Sequence, residues 1–395
     1  MKGKMWVLCA VGILACLFPA IASYSSAAEQ KEIRVGAILD LTGMLSPIGV
    51  DSQKGIMLAF EKAGYKIAGK TVKLIVEDGA SDPNTTMDKT RKLVETNKVQ
   101  LIIGPIHSGA CAVMAPYLDR VKVPQIGISC NNDELALKHK WMFLTAGLLH
   151  QFTYPAGVYA CNKMGYKTAT TLATDYVAGH DFTAGFVDGF QDKGGKVIQQ
   201  QWFPEKTTDF TPYVVSLKKS DCFVPWLAGN FAFSGLRQFK ELGVKMPIIE
   251  PEDGGVTVSP PAIKELGNLV KDITTAAIYA YTLDTPGNKE FVQAYKDKYN
   301  VLPGPMSGGG YSSAQVAMAA LEKTRGQGKP EDLLEAITNV SIMTVRGPIS
   351  YTKEHVGIST TWIFKIDENL VPQLVGQGRT RADKVGDKMV VKLIE

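Results

Sequence analysis

Short apolar runs alternate with longer amphipathic stretches along most of the chain. The apolar runs have the length and β-branched content of buried strands, and the stretches between them carry apolar residues at helical spacing. The predicted strands are residues 33–39, 72–76, 101–103, 125–128, 168–173, 196–201, 222–226 and 247–249. The predicted helices are residues 49–63, 83–97, 111–120, 153–164, 181–193, 212–218 and 233–242.

Strict alternation of strand and helix is typical of an α/β fold in which helices cover both faces of a parallel sheet. The alternation stops after the strand that ends at residue 128 and starts again near residue 153, which predicts two successive doubly wound units. Beyond residue 280, helices are expected over 289–299 and 311–323, followed by paired strands. No low-complexity tether separates these blocks, so short crossovers that act as a hinge should join the halves.

The composition is typical of a globular protein with two domains. The chain has 395 residues, of which 45% are hydrophobic and 21% charged, enough for two domains with a sizeable core. Basic and acidic residues number 43 and 39 and are interleaved, so nucleic acid is not expected as a partner. No interior run approaches the roughly 20 apolar residues that a membrane span needs.

The first 28 residues have the order of a secretory signal peptide: a basic start, an apolar stretch, and small residues up to Ala28. Cleavage after Ala28 and export are therefore expected. Two alternatives remain open, an uncleaved anchor and a lipoprotein cut before Cys16, because the residues before Cys16 loosely resemble a lipobox.

Four cysteines follow the predicted cleavage site: Cys111, Cys130, Cys161 and Cys222. Export permits disulfides, and four cysteines allow three pairings. Cys111 and Cys130 come just after what should be adjacent parallel strands, which predicts a disulfide between them. Buried free thiols are the alternative, since a core of this size needs no covalent staple.

Several short stretches occur together in a fixed order from residue 32 to beyond residue 347. They are residues 35–43 (VGAILDLTG), Gly49, Gly55, residues 77–78 (ED), 82–83 (DP), 102–105 (IIGP), 123–124 (VP) and 208–212 (TDFTP). No single piece is specific, but the ordered set resembles the leucine/isoleucine/valine-binding proteins of bacterial ABC importers.

This resemblance implies a type I periplasmic binding fold, with two Rossmann-like lobes, parallel central sheets, a three-crossover hinge and the ligand in the cleft. Lobe 1 would comprise residues 29–148 with 281–345, and lobe 2 residues 149–280 with 346–395. The resemblance also implies a monomeric periplasmic receptor without a cofactor, which delivers a small amino acid or carboxylate ligand to an ABC permease in the inner membrane.

Two polar segments at strand ends are candidate carboxylate sites. Ser108 stands between a predicted strand and a predicted helix, where a hydroxyl and free backbone N–H groups bind anions, and the family uses the matching serine in this way. Ser129 and Asn131 offer the same arrangement after the next strand, with Asn131 where the family has a threonine. Ordinary helix capping is the alternative for all three.

An acidic turn is the candidate site for a ligand's ammonium group. The family supplies a glutamate from a Pro-Glu-Gly turn, and residues 251–254 (PEDG) stand at that point. Glu252 or Asp253 is therefore the candidate, with a one-residue register left open. A solvated turn is the alternative.

The side-chain pocket is expected to differ from that of the family. Ile48, Ala178 and Gly229 align with larger aromatic walls, so the cleft should accept something bulkier than leucine. Candidates to re-line it are Tyr176, Asn230, Met306 and His150, with a plain core or surface position as the alternative for each. His107 and Ser81 align with the cysteines of the family's usual disulfide.

No catalytic signature appears in the sequence, and the histidines lack metal-ligand spacing, so neither an enzyme nor a metal site is expected. The favoured function is a receptor for a branched-chain or other bulky apolar amino acid. Two alternatives stay open: a receptor for aromatic or aliphatic carboxylates, and a ligand-sensing module for a signalling partner.

Overall fold

The computed structural model of the protein describes residues 32–129, 133–227, 229–252 and 256–395. Four of the sequence predictions fall outside these ranges: the signal peptide over residues 1–28, and the roles of Cys130, Asn131 and Asp253.

Within the described ranges, the strands are β1 (Glu32–Leu39), β2 (Lys66–Ile67), β3 (Lys70–Asp78), β4 (Leu101–Ile103), β5 (Gln125–Gly127), β6 (Met142–Leu144), β7 (Thr168–Thr174), β8 (Lys196–Phe203), β9 (Cys222–Trp226), β10 (Ile249–Glu250), β11 (Thr274–Ala277), β12 (Ser341–Thr344), β13 (Gly347–Tyr351), β14 (Gly357–Ile366), β15 (Pro372–Val385) and β16 (Lys388–Leu393). The helices are α1 (Ser46–Lys62), α2 (Pro83–Arg91), α3 (Ser108–Val121), α4 (Asp133–Lys138), α5 (Leu149–Asn162), α6 (Val177–Asp192), α7 (Thr211–Val215), α8 (Asn230–Glu241), α9 (Pro260–Leu266), α10 (Asn288–Tyr299), α11 (Pro305–Thr324) and α12 (Pro330–Thr338).

The first sheet has the strand order β2-β3-β1-β4-β5-β6. Strands β3, β1, β4, β5 and β6 run parallel, as the alternating pattern predicts, and only β2 is antiparallel to its neighbour. Ile103 of β4 pairs with Ile126 of β5, so these two strands end at the same edge of the sheet. The chain that leaves that edge carries Ser108 and Ser129.

The second group of strands begins with the parallel set β8-β7-β9. A single bridge between Phe223 and Ile248 connects β9 to the chain just before β10, and β10 pairs in parallel with β11. Helices α5 and α6 pack closely together, since a Cβ on Gly157 would lie 2.1 Å from the Phe186 carbonyl oxygen. The carboxyl ends of β9 and β10 carry Trp226 and Glu252.

The C-terminal strands, which the sequence predicts as pairs without an orientation, are antiparallel. Strands β12 to β16 pair antiparallel, and β14 also pairs antiparallel with β11. Short connections join β14 to β15 and β15 to β16, and a connection of a few residues can join antiparallel but not parallel strands. The parallel pattern therefore holds for the earlier strands but not for this ribbon.

Helix α11 begins at Pro305, six residues before the predicted start, and takes in Gly308–Gly310. Glycine has a poor helix propensity, but here close packing requires it. A Cβ on Gly308 would lie 2.3 Å from the Tyr279 ring, and one on Gly310 would lie 2.5 Å from the Ser52 carbonyl oxygen. These two positions therefore have no room for a larger side chain.

Cys111, in α3, is disulfide-bonded, whereas Cys161 and Cys222 are buried free thiols. The predicted partner of Cys111, Cys130, lies outside the described residues, so that pairing stays a prediction. Among the helices described above, none has both the length and the apolar character needed to cross a membrane.

A candidate ligand-binding site

Four of the predicted site residues line one cavity: Ser108, Ser129, Tyr176 and Glu252. The other lining residues are Leu45, Ile48, Ile106, Ala178, Phe182, Trp226 and Met306. The lining residues come from both predicted lobes.

Ser108 is the first residue of α3 and is only 3% exposed. The helix begins earlier than the sequence predicts, and its cap is His107, whose Nδ1 accepts a hydrogen bond of 3.3 Å from the Ala110 backbone N–H. Capping is therefore performed by the neighbouring histidine and not by Ser108. The Ser108 hydroxyl lies at the helix N-terminus and lines the cavity, where it can meet an anion.

Asp40 holds the loop that precedes Ser108. Its Oδ2 accepts hydrogen bonds from the backbone N–H groups of Ile106 at 3.2 Å and His107 at 3.3 Å. Burial raises the pKa of Asp40, and the charge of His107 opposes that rise. This carboxyl fixes the loop between β4 and α3 and thus the place of Ser108.

Ser81 fixes a second loop. Together with His107, it aligns with the two cysteines of the family's usual disulfide. Its hydroxyl donates a hydrogen bond of 2.9 Å to the Thr42 carbonyl oxygen and accepts one of 3.1 Å from the Leu45 backbone N–H. Leu45 lines the cavity. Hydrogen bonds from Ser81 therefore hold one end of the cavity wall where the family is expected to use a disulfide.

Glu252 lies two residues beyond the end of β10 and is 4% exposed. Its Oε2 accepts a hydrogen bond of 2.9 Å from Nε1 of Trp226, the last residue of β9. The alternative of a solvated turn is wrong for Glu252, because its carboxylate is buried in the cavity wall. A buried carboxylate costs several kcal/mol of desolvation unless charge and hydrogen bonds compensate it.

A second buried acid, Glu250, stands two residues before Glu252 and is 3% exposed. Burial raises the pKa of Glu250 to about 8, and the nearby charge of Glu252 adds to the rise. Sequence reasoning missed Glu250, although an acid within an apolar run at residues 247–250 (PIIE) is a signal for a buried carboxyl.

Aromatic rings form one wall of the cavity. The ring centroids of Tyr176 and Trp226 are 5.8 Å apart, and those of Phe182 and Trp226 are 4.9 Å apart. Burial raises the pKa of Tyr176 far above its usual range, so its hydroxyl stays neutral. Trp226 and Phe182 were not anticipated, although ligands in open α/β folds bind at the carboxyl ends of strands, where Trp226 stands.

Other predicted wall residues divide into two groups. Ile48, Ala178 and Met306 line the cavity. Asn230 is exposed at the start of α8, and His150 pairs with Asp133 at 3.3 Å, so neither lines it. Among the described residues, no group of histidine, cysteine or acidic side chains has the arrangement of a metal site.

The cavity is narrow. The space open to the centres of water molecules is about 20 Å³, which is room for about one water.

Comparison with known proteins identifies the family of this chain. A family model described as periplasmic binding protein matches residues 32–370. The Leu/Ile/Val-binding protein homolog 6 of Brucella abortus is 25% identical over 339 residues, which cover 84% of this chain and 86% of that protein.

Two solved structures show the same fold. An ABC transporter substrate-binding protein from Sphaerobacter thermophilus has a TM-score of 0.80 and 26% identity, covering 88% of this chain and 97% of that one. A solute binding protein of an ABC transporter from Rhodopseudomonas palustris, in complex with 3,4-dihydroxybenzoic acid, has a TM-score of 0.78 and 27% identity, covering 91% and 95%. These relatives bind solutes and are not enzymes. The chain belongs to the periplasmic binding protein family, with its type I fold and its non-catalytic, solute-binding role in ABC transport.

Proposed function

We propose that the protein is the exported receptor of an ABC importer and that it binds a branched-chain or other bulky apolar amino acid in the cavity described above. The observation that carries the proposal is the burial of Glu252 in the cavity wall. Such a ligand has a carboxylate, an ammonium group and an apolar side chain, and each has a counterpart among the lining residues.

The ligand carboxylate is assigned to the serine side of the cavity. Ser108 and Ser129 follow the neighbouring parallel strands β4 and β5, and Ser108 opens the 14-residue helix α3. Backbone N–H groups and the positive end of the helix dipole favour an anion at that point. We also assign Asn131, a candidate from the sequence, to the group that binds the carboxylate.

The ligand ammonium group is assigned to Glu252. Its carboxylate lines the cavity and accepts a hydrogen bond from Trp226, and an ammonium group of the ligand would place an opposite charge beside it. Asp253 remains part of this proposal as the neighbouring acid of the same turn.

The apolar side chain of the ligand is assigned to the remaining surface. Leu45, Ile48, Ala178, Phe182 and Met306 are apolar and line the same cavity. A branched-chain or larger apolar side chain matches this surface, whereas a charged side chain would be buried there without a partner.

An aromatic carboxylate is the second candidate ligand, favoured by the wall of Tyr176, Phe182 and Trp226. The Rhodopseudomonas palustris relative was solved with a dihydroxybenzoic acid. Such a ligand lacks a cation and therefore offers no opposite charge to the Glu252 carboxylate in the cavity wall. For that reason the amino acid is preferred.

The cellular setting follows from the same proposal. Residues 1–28 would direct export to the periplasm, with the lipoprotein alternative at Cys16 retained. Residues 29–148 with 281–345 and residues 149–280 with 346–395 would be the lobes that close on the ligand as a monomer. The closed form would dock on an ABC permease, or on a signalling receptor if the protein is a sensor.

A thermal-shift screen of the mature chain tests the proposal. Leucine, isoleucine, valine and phenylalanine would be compared with benzoate and 4-hydroxybenzoate. At about 100 times its dissociation constant a ligand adds roughly 2.7 kcal/mol to stability, so a cognate amino acid should raise the Tm by several degrees. Stabilisation by benzoates while every amino acid fails would replace the first candidate by the second.

A further inference from the structure

Arg346 lies in the turn between β12 and β13 and is only 2% exposed. Its backbone is fixed on both sides. The Arg346 N–H donates a hydrogen bond of 3.3 Å to the Thr344 hydroxyl, and its carbonyl oxygen accepts one of 3.0 Å from Nε1 of Trp362. The guanidinium is therefore held inside the protein.

Among the described residues, the terminal nitrogens Nη1 and Nη2 of Arg346 have no hydrogen-bond partner, and no carboxylate forms an ion pair with them. Arg34, Arg91 and Arg237 differ, since each pairs with a carboxylate at the surface. Burial lowers the pKa of Arg346 to about 10, which still leaves it protonated at neutral pH. Within the described part of the chain, no side chain balances this buried positive charge.

Hydroxyl groups lie near this charge. The Tyr351 hydroxyl, which influences the Arg346 pKa, shares a hydrogen bond of 2.8 Å with the Thr145 hydroxyl. The Thr285 hydroxyl donates to the carbonyl oxygen of Val345, the residue before Arg346. Thr145, Thr285 and Arg346 each lie within a few residues of a different predicted crossover between the lobes.

We propose that Arg346 binds a small monovalent anion, such as chloride, in the interior beside the three predicted crossovers. An unpaired buried charge is costly, and an anion held by the guanidinium removes most of that cost. The anion has to be small because the side chain is enclosed on nearly all sides. This site is separate from the ligand cavity, whose lining does not include Arg346.

The position of the site predicts its effect. An anion held by Arg346 stabilises the turn from Thr344 to Gly347, which is hydrogen-bonded to Trp362 on one side and to Thr285 on the other. Halide binding should therefore raise the stability of the whole chain, whichever solute occupies the ligand cavity.

Two measurements on the mature protein test this site. Crystals soaked in sodium bromide should show an anomalous peak in contact with the Arg346 guanidinium. In solution, the Tm should rise by at least about 2 °C when sodium gluconate is replaced by sodium chloride or bromide at equal ionic strength.

The halide response should disappear in Arg346→Met and persist in Arg237→Met, a matched change at an exposed arginine. If Arg346→Met fails to fold, the test of halide binding at Arg346 rests on Arg346→Lys and on the bromide peak in the unmodified protein. Ordered water in place of bromide at the guanidinium, together with equal Tm values in halide and gluconate, would overturn the proposal.

Discussion

The two sides of the candidate ligand cavity differ in the charge of their polar groups. The side built from Ser108 and Ser129 offers neutral donors at the ends of parallel strands, next to the start of a helix. The opposite side offers the buried acid Glu252 beside Trp226, with a second buried acid, Glu250, two residues away in sequence. Neutral donors tolerate many carboxylates, whereas a buried acid favours a ligand that carries a positive charge. The second side, more than the first, should therefore determine which solutes bind.

The largest effect on binding is expected at the acidic side. Glu252→Gln keeps the size of the side chain but removes the charge that we assign to the ligand ammonium group. Loss of one partner of a buried ion pair costs roughly 3 to 5 kcal/mol, so calorimetry should show a loss of affinity of at least about 100-fold for the amino acid. Glu331→Gln, at an exposed acid that pairs with Lys122, is the matched control and should bind normally.

The next effect concerns pH and Glu250. The pKa of Glu250 is raised by burial to about 8 from a usual value of 4.5, so the folded protein binds this proton more tightly than the unfolded chain. Its contribution to stability is therefore lost as pH rises through the window from about 5 to 8, by up to roughly 4 kcal/mol.

Glu250→Gln should remove that loss, so the difference in unfolding free energy between variant and parent should grow in favour of the variant from pH 5 to pH 8. Denaturant unfolding at several pH values measures this difference, and the parent's other titrating groups cancel in it. A difference that stays constant across the window would show that Glu250 does not hold its proton in the folded state.

The smallest of these effects is expected at the neutral side. Ser108→Ala removes one hydroxyl, and a hydrogen bond to a charged group is worth roughly 1.5 to 3 kcal/mol. Affinity should therefore fall by about 10- to 100-fold for every carboxylate ligand, with an unchanged Tm. If affinity also stays unchanged, Ser108 does not contact the ligand.

The neutral side of the cavity was also the easier one to predict. Strand β4 and helix α3 are local features, and the parallel order of their sheet follows from the alternating pattern. The position of Ser108 at their junction was therefore accessible from sequence, although the start of α3 was not, because it depends on capping by His107.

The acidic side depends on contacts between distant parts of the chain. The hydrogen bond from Trp226 to Glu252 and the burial of Glu250 arise only when β9 and β10 lie together. The early start of α11 has a similar cause, because its glycines are needed where the helix meets Tyr279 and α1. Periodicity alone does not reveal such contacts.

Calorimetry with a matched pair of ligands tests the central claim most directly, namely that Glu252 meets a ligand ammonium group. The pair is the best-binding amino acid and its analogue that lacks only the amino group, each measured with the parent and with Glu252→Gln. We predict that the parent prefers the amino acid by at least about 100-fold and that Glu252→Gln abolishes most of this preference. An equal preference in both proteins, or tighter binding of the analogue by the parent, would contradict the account.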